Sequence, residues 1–460
     1  MKAGHSDVPG LFCWAGPGGK EELKMRPWSV LFALLWIFFP SGKHWAGQRD
    51  LLQEIEHLRS RIRALEEKIS QHEGDNQLHD ASTLSHQIQA IKESIEERFG
   101  SFSIHGSVVG YYQGISPARI GGRRFSNPDG AGFATDLEIT FRPMNEGEFY
   151  LRIHAGEGDG ADRDLEGEGA LFADLNTLND DNPDGQFVDL LEAHYTHSLL
   201  GGLLNITVGK SEQACFIDQN AFANSEVFQF VGKPFVNNPV LDTEIEYGPL
   251  VALQLSPMER LSLVALVEST SNGGQKDVWD DVFDDPFLGA QLTYSPRISG
   301  LEGNYRLYGW MAPYEHPDLD APGRTHMGWG VGISADQWLS RKLGLFARVG
   351  YHHEDVYPVS WFVSLGLSGA GILPGRENDH MGIGLAALIA GPDLDDAAVD
   401  TGLLLGDGRH TCEYHIEVYY RFALSDHLAI TPDLQMVINP LGESGNDEIF
   451  SGMLRGEFYF

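Results

Sequence analysis

Several charged and aromatic residues fall two apart along the chain. Arg152 and His154 do so, as do Glu192 and His194. Arg306, Tyr308 and Trp310 form a third set, and Glu413, Glu417 and Arg421, four apart, share one parity as well. Arg142, Arg348 and Gln435 stand on the same alternate face of their own stretches. In an extended chain, residues two apart share one side. Such a side offers guanidinium and carboxylate groups that exchange hydrogen bonds with hydroxyls. It also offers ring faces that stack on C–H surfaces. Arg306, Tyr308 and Trp310 supply both on one stretch. This chemistry recognises a polar solute and makes or breaks no bond. A water-exposed wall would also be polar, so for each residue alone plain solvation is the competing reading.

Other constellations lead less far. "HHEDVY" at 352–357 lacks fixed ligand spacing and reads as a solvated loop. His194 and His197 are three apart and face opposite sides of a strand, so they do not form a ligand pair. The acidic stretch 156–185, "GEGDGADRDLEGEGALFADLNTLNDDNPDG", fails the EF-hand spacing. It reads as a solvated loop, with loose divalent-cation bridging to lipopolysaccharide as the alternative. It is no nucleotide loop, because its carboxylates would repel phosphate. No nucleophile–base signature is visible, and neither an enzyme, a cofactor nor a metal is expected. The formal net charge of −34 excludes nucleic-acid binding through a basic face. Three cysteines support neither a disulfide framework nor a zinc site.

The elements that must carry these residues are strands. From about residue 100 to 460 the periodicity is two. Sixteen windows of about 8–12 residues keep one apolar face: 102–113, 133–142, 148–156, 187–197, 203–210, 248–256, 260–268, 286–295, 302–312, 327–337, 342–352, 359–371, 378–389, 411–422, 427–437 and 449–460. In "CEYHIEVYYRF", Cys412, Tyr414, Ile416, Val418, Tyr420 and Phe422 oppose Glu413, His415, Glu417, Tyr419 and Arg421. A soluble sandwich would alternate too. Three features favour an outer-membrane barrel. The apolar faces end in aromatics. Connections alternate between brief ones ("PMNEG", "SLLGG", "WLSR") and long ones (157–186, 211–247, 390–410). The strand number is even, which puts both barrel ends on the short-turn, periplasmic side. The fold expected is therefore an all-β, 16-stranded antiparallel transmembrane β-barrel, preceded by an α-helical coiled coil. The terminal "MLRGEFYF" alternates to its last ring, because a closed barrel needs its last strand paired with its first.

Sixteen strands leave a lumen too wide for wall side chains to fill. The connection 211–247 holds Phe216, Phe222, Phe228, Phe230 and Phe235, too many rings to leave in water. It is expected to fold inward as a constriction loop and to present Asp218, Gln219 and Asn220 to the channel. The alternative is a cap on the barrel or a contact with a neighbouring subunit.

Before the barrel, residues 27–39 have the apolar core and basic flank of a signal peptide. Residues 1–46 read as that signal with an upstream extension, and Met25 as the true start. Residues 47–99 read as a periplasmic coiled-coil segment. Leu51, Ile55, Leu58, Ile62, Leu65 and Ile69 form a heptad seam that favours self-association. The barrel is assigned to residues 100–460.

Four stretches carry a resemblance: "VGKSEQACFIDQNAFANSEVFQF" at 208–230, "GWGVGISADQWLSRKLGLFARVGY" at 328–351, "LPGRENDHMGIGLA" at 373–386 and "DHLAITPDLQMVINP" at 426–440. In these the chain resembles the OprB-type carbohydrate-selective porins. The resemblance implies a bacterial outer-membrane channel that passes sugars, or other small polar solutes, down a gradient. The partners it implies are outer-membrane lipid, lipopolysaccharide and the solutes themselves. The long acidic insertion and the coiled coil depart from the common pattern. A structural alternative is a barrel anchor whose coiled coil ties the outer membrane to periplasmic partners.

Overall fold

The computed structural model describes residues 101–179 and 187–460. The signal-type segment and the expected coiled coil lie outside the described residues. Sixteen strands build the wall: β1 (Ser101–Ile115), β2 (Asp129–Met144), β3 (Gly147–Glu157), β4 (Val188–Leu199), β5 (Leu204–Ser211), β6 (Gly248–Met258), β7 (Leu261–Glu268), β8 (Phe287–Tyr294), β9 (Leu301–Pro317), β10 (Thr325–Trp338), β11 (Leu343–His352), β12 (Val359–Ala370), β13 (His380–Ala390), β14 (Cys412–Ala423), β15 (Leu428–Ile438) and β16 (Ile449–Tyr459). Each pairs antiparallel with the next.

β16 then closes on β1, with Tyr459 opposite Ser107 and Ser451 opposite Ile115. Phe460 continues the ladder beyond the last assigned strand residue. Its N–H donates to the Gly106 carbonyl, and its carbonyl accepts from the Gly106 N–H, both at 3.1 Å. Without these bonds the seam would leave unpaired backbone groups in hydrocarbon, which costs several kcal/mol per group.

The two faces have opposite chemistry. On β14, Tyr414, Val418 and Phe422 are 39–42% exposed, whereas Glu413, His415, Glu417, Tyr419 and Arg421 are at most 6% exposed. The outer face is thus apolar and open, and the inner face polar and covered. Twelve residues at about 3.3 Å each, tilted by roughly 40°, span an apolar band of about 25–30 Å. Among the described residues no helix is long and apolar enough to cross a membrane; the strands do so.

The long and short connections are sorted between the ends, with exceptions. Two-residue turns join β2 to β3 and β6 to β7, while 158–187, 212–247 and 391–411 are long. The turn 371–379, however, is longer than 318–324 and 353–358 on the opposite end. It is held down by Asp379, which accepts from Arg376 Nε (2.6 Å), Tyr420 Oη (2.7 Å) and the Ala423 N–H (3.0 Å).

The acidic stretch departs from expectation. Its described part, residues 156–179, is no solvated loop. Leu165, Ala170, Leu171, Leu175 and Leu178 are buried. Several pack with Ile115, Val437, Leu441 and Ile449 of the wall end and with a small hairpin, Ala118–Ile120 with Arg123–Phe125. Asp162 organises the turn by accepting from the Leu175 and Asn176 N–H groups at 2.6 and 3.0 Å. Burial first, and then the Asp174 carboxylate, push the Asp162 carboxyl well above its ordinary range. The apolar residues scattered among the acids drive this loop inward, because their burial outweighs the solvation of the exposed acids around them.

Candidate solute passage

The connection 212–247 enters the barrel and packs on the wall of β11–β14. Phe222, Phe230, Phe235 and Val240 join Phe346, Phe362, Leu388 and Tyr419 in one buried cluster. Ring pairs tie them: Phe230 meets Tyr419 edge-on at 4.9 Å and Phe346 at 5.3 Å. Inward-facing glycines make the room. A Cβ on Gly344 would stand 2.0 Å from the Phe222 ring, and one on Gly384 would stand 2.6 Å from the Phe235 ring. Only a residue without a side chain permits that approach.

Polar groups on the wall fasten this loop, and Glu413 and Gln435 also hold the neighbouring connections at Phe172, Leu175 and Leu441. Arg348 is fully buried and pairs with Asp218 at 3.0 Å through Nε. Its Nη atoms donate to the Phe235, Asp218 and Val236 carbonyls and to Asn224 Oδ1, at 2.9–3.3 Å. Glu417 accepts from the Val231 and Gly232 N–H groups at 2.7 and 3.0 Å. Arg455 donates to the Glu226 and Gln229 carbonyls and pairs with Asp433. Glu413 accepts from Phe172 N–H and Leu441 N–H, and Gln435 donates to the Leu175 carbonyl at 2.8 Å. Charge-assisted bonds to loop backbone of this kind are the strong ones.

Several residues expected to line open water therefore have another role. Arg348, Glu413, Glu417 and Gln435 face inward, but loop backbone covers them. Tyr308 and Trp310 are 2–3% exposed, and Trp310 stacks on Phe287 at 5.7 Å in an apolar cluster with Ile217 and Leu241. They cannot stack on a passing ring. Asp218 and Asn220 are also buried. Asp218 accepts from the Asn238 N–H at 2.8 Å, and Asn220 donates to Ser334 Oγ and the Ala335 carbonyl. Of the three loop residues expected in the channel, Gln219 alone is exposed. Phe228, expected to be covered, is 39% exposed and lies edge-on to Tyr459 under the Arg421 guanidinium. Arg142 stands at the short-turn rim, half-exposed and paired with Glu148.

The wall opposite the inserted loops stays partly open. On β3 and β4, Arg152 pairs with Asp136 of β2 at 2.9 Å and reaches Tyr247 Oη at 3.3 Å. His154 meets the same Asp136 at 3.2 Å. Glu192 accepts from Ser211 Oγ at 2.8 Å and lies 3.5 Å from His194 Nε2. The His194 ring stacks on Tyr150 at 5.2 Å. Beside them Glu138, Tyr150 and Thr196 are half-buried and Gln254 is exposed. Arg306 pairs with Asp336 at 2.6 Å, and Asn304 donates to the same carboxylate at 2.7 Å. Arg421 pairs with Glu457 nearer the short-turn end. The partners Asp136, Tyr150, Tyr247, Asp336 and Arg455 were not singled out in the sequence. Four of them lie on the inward parity of their strands, and that signal was available.

The carbohydrate-selective porin, OprB family model matches residues 130–460. The chain belongs to this family. Porin B of Pseudomonas aeruginosa is 22% identical over 313 residues, 59% of this chain and 67% of that protein. An uncharacterized protein of Aquifex aeolicus is 25% identical over 310 residues, 66% of this chain and 84% of its own length. The high-pH structure of Pseudomonas putida OprB superposes with a TM-score of 0.68 at 17% identity, covering 81% of this chain and 97% of that one. That likeness concerns the fold, and it agrees with the sixteen-strand closed wall described above. This OprB-family chain is an outer-membrane porin, a channel for passive diffusion.

Proposed function

We propose that the porin passes sugars along the open wall of β2–β5, between the inserted loop 212–247 and the side chains of Glu138, Tyr150, Arg152 and His194. The observation that carries this reading is the half-open Tyr150–His194 ring pair beside the Arg152–Asp136 ion pair. A sugar needs an aromatic face for its C–H surface and fixed polar groups for its hydroxyls. Both stand here within one patch, and membership of the carbohydrate-selective OprB family supports the same cargo. Liposome-swelling rates of the purified full chain test it. Monosaccharides should permeate faster than neutral amino acids of equal size. Arg152→Gln should slow the sugars by up to about tenfold, the weight of one charge-assisted hydrogen bond of about 1.5 kcal/mol. Equal rates for both solute classes in the unmodified protein would remove the sugar reading.

The same proposal includes self-association through residues 48–71, supported by the seam Leu51, Ile55, Leu58, Ile62, Leu65 and Ile69. Ile62→Asp places an unpaired charge in that seam. Cross-linked oligomers should be lost while the barrel keeps its heat-modifiable migration. Unchanged cross-linking would assign any assembly to another surface.

A further inference from the structure

At the long-loop end, β10 and β11 bring together two imidazoles and two carboxylates that no stretch of sequence holds together. His326 stands at the start of β10. His353 and Asp355 follow β11 in the connection 353–358, and Asp318 opens the connection 318–324. One ligand atom each from His326, His353 and Asp355 lie within 4.8 Å of one another. His326 Nε2 is 3.9 Å from Asp355 Oδ2, and His353 Nε2 is 3.6 Å from the same oxygen. Asp318 Oδ2 adds a fourth donor, 2.9 Å from His326 Nε2. A tetrahedral zinc at 2.0–2.1 Å from each ligand needs donor atoms about 3.3 Å apart. Among His326, His353 and Asp355 the separations are wider than this by about 0.3 to 1.5 Å, and the 2.9 Å between His326 and Asp318 is narrower by about 0.4 Å, all within reach of small side-chain rotations.

The surroundings orient these donors. His353 Nδ1 is 3.1 Å from the Met327 carbonyl and donates to it, which leaves Nε2 free as a ligand. That arrangement is the usual second hydrogen bond of a metal-ligating histidine. The His353 ring also stacks on Trp329 at 5.6 Å, so its plane is held. Asp318 is fixed in the same way. Its Oδ1 accepts from the Asp320 and Ala321 N–H groups at 3.2 and 3.0 Å, and its Oδ2 points to His326. Among the described residues, the cation paired with Asp318 is Arg324, which reaches it only at 3.9 Å; its side chain is 73% exposed, free to swing into solvent.

We propose that His326, His353, Asp355 and Asp318 form a binding site for a divalent first-row transition ion of the zinc type. Two imidazoles with two carboxylates suit zinc, nickel or copper. Calcium and magnesium prefer all-oxygen sets of six or more ligands. On binding, the His326 Nε2–Asp318 hydrogen bond gives way, the ring proton resides on Nδ1, and both freed atoms turn to the ion. The ion then ties the two shortest connections at the mouth, 318–324 and 353–358, to the β10–β11 rim.

The test uses the full chain without a histidine tag, in detergent, stripped with a chelator and titrated with zinc against a chromophoric competitor. One zinc equivalent should bind. His326→Ala and His353→Ala should each weaken it at least about tenfold, while His427→Ala at the short-turn end leaves it unchanged. If either histidine variant fails to regain heat-modifiable migration, Asp355→Asn, at a half-exposed side chain, carries the same expectation. Absence of a zinc equivalent in the unmodified chain overturns the proposal. So does full affinity in the His326→Ala/His353→Ala double variant, or uptake of calcium without zinc.

Discussion

Removal of residues 220–231 is expected to raise single-channel conductance at least about twofold, because the wall of a sixteen-strand barrel alone encloses a wide aqueous lumen. The deleted piece carries Phe222, Phe228 and Phe230, two of which fill the interior against Phe346 and Tyr419. It also carries Asn220 and Asn224, which anchor to Ser334 and Arg348. Discrimination between solutes should flatten as well, since the open wall would lose the surface that faces it. The barrel itself should insert normally: its ladder runs strand to strand and closes through β1 and β16 without the loop. Planar-bilayer recordings on protein with intact heat-modifiable migration decide the matter. Unchanged conductance and unchanged preference would place the constriction elsewhere.

Arg348→Met is expected to cost about 3–5 kcal/mol of stability, because it leaves the Asp218 carboxylate buried without its partner. Asp218 is 2% exposed and Arg348 is fully covered, so water cannot take over. The same change strips hydrogen bonds from the Phe235, Asp218 and Val236 carbonyls. Urea-driven unfolding, followed by the loss of heat-modifiable migration, measures the effect. Adding Asp218→Asn should recover part of it, since a neutral amide no longer needs a counter-charge, although its bond to the Asn238 N–H is kept through the side-chain oxygen. In bilayers, Arg348→Met alone should show noisy, flickering channels as the loop detaches and returns. Full stability in the single variant would mean that the buried pair contributes nothing net.

Much of the wall was legible in the chain. A lipid-facing strand must alternate, and the period of two fixes which side chains share a face. All sixteen windows have a counterpart among the strands, with shifts of a few residues at the ends. By parity Arg348, Glu417 and Gln435 share the inward side of their strands, and all three are buried there. Parity carried no information on what lies opposite them. Period two encodes a side and not a depth, and the covering groups come from connections up to 260 residues away, such as the Leu175 carbonyl on Gln435. The acidic loop misled for a related reason. Its charge dominates its composition, while Leu165, Leu171 and Leu175 decide where it packs. The glycines at 344 and 384 were a usable sign. Inward glycines in a wide barrel mark where something large approaches the wall.

By itself the sequence determined the alternation, the strand number, the closing terminal strand and an aromatic loop in need of burial, because each follows from local periodicity or from the cost of an unpaired edge. The tertiary structure alone decided which inward residues meet water and which hold a loop. It also decided that Arg152 shares Asp136 with His154, and that His326 faces His353 across two strands. Those pairings depend on register between distant segments and on the path of the loops through the lumen, and no spacing along one strand records either.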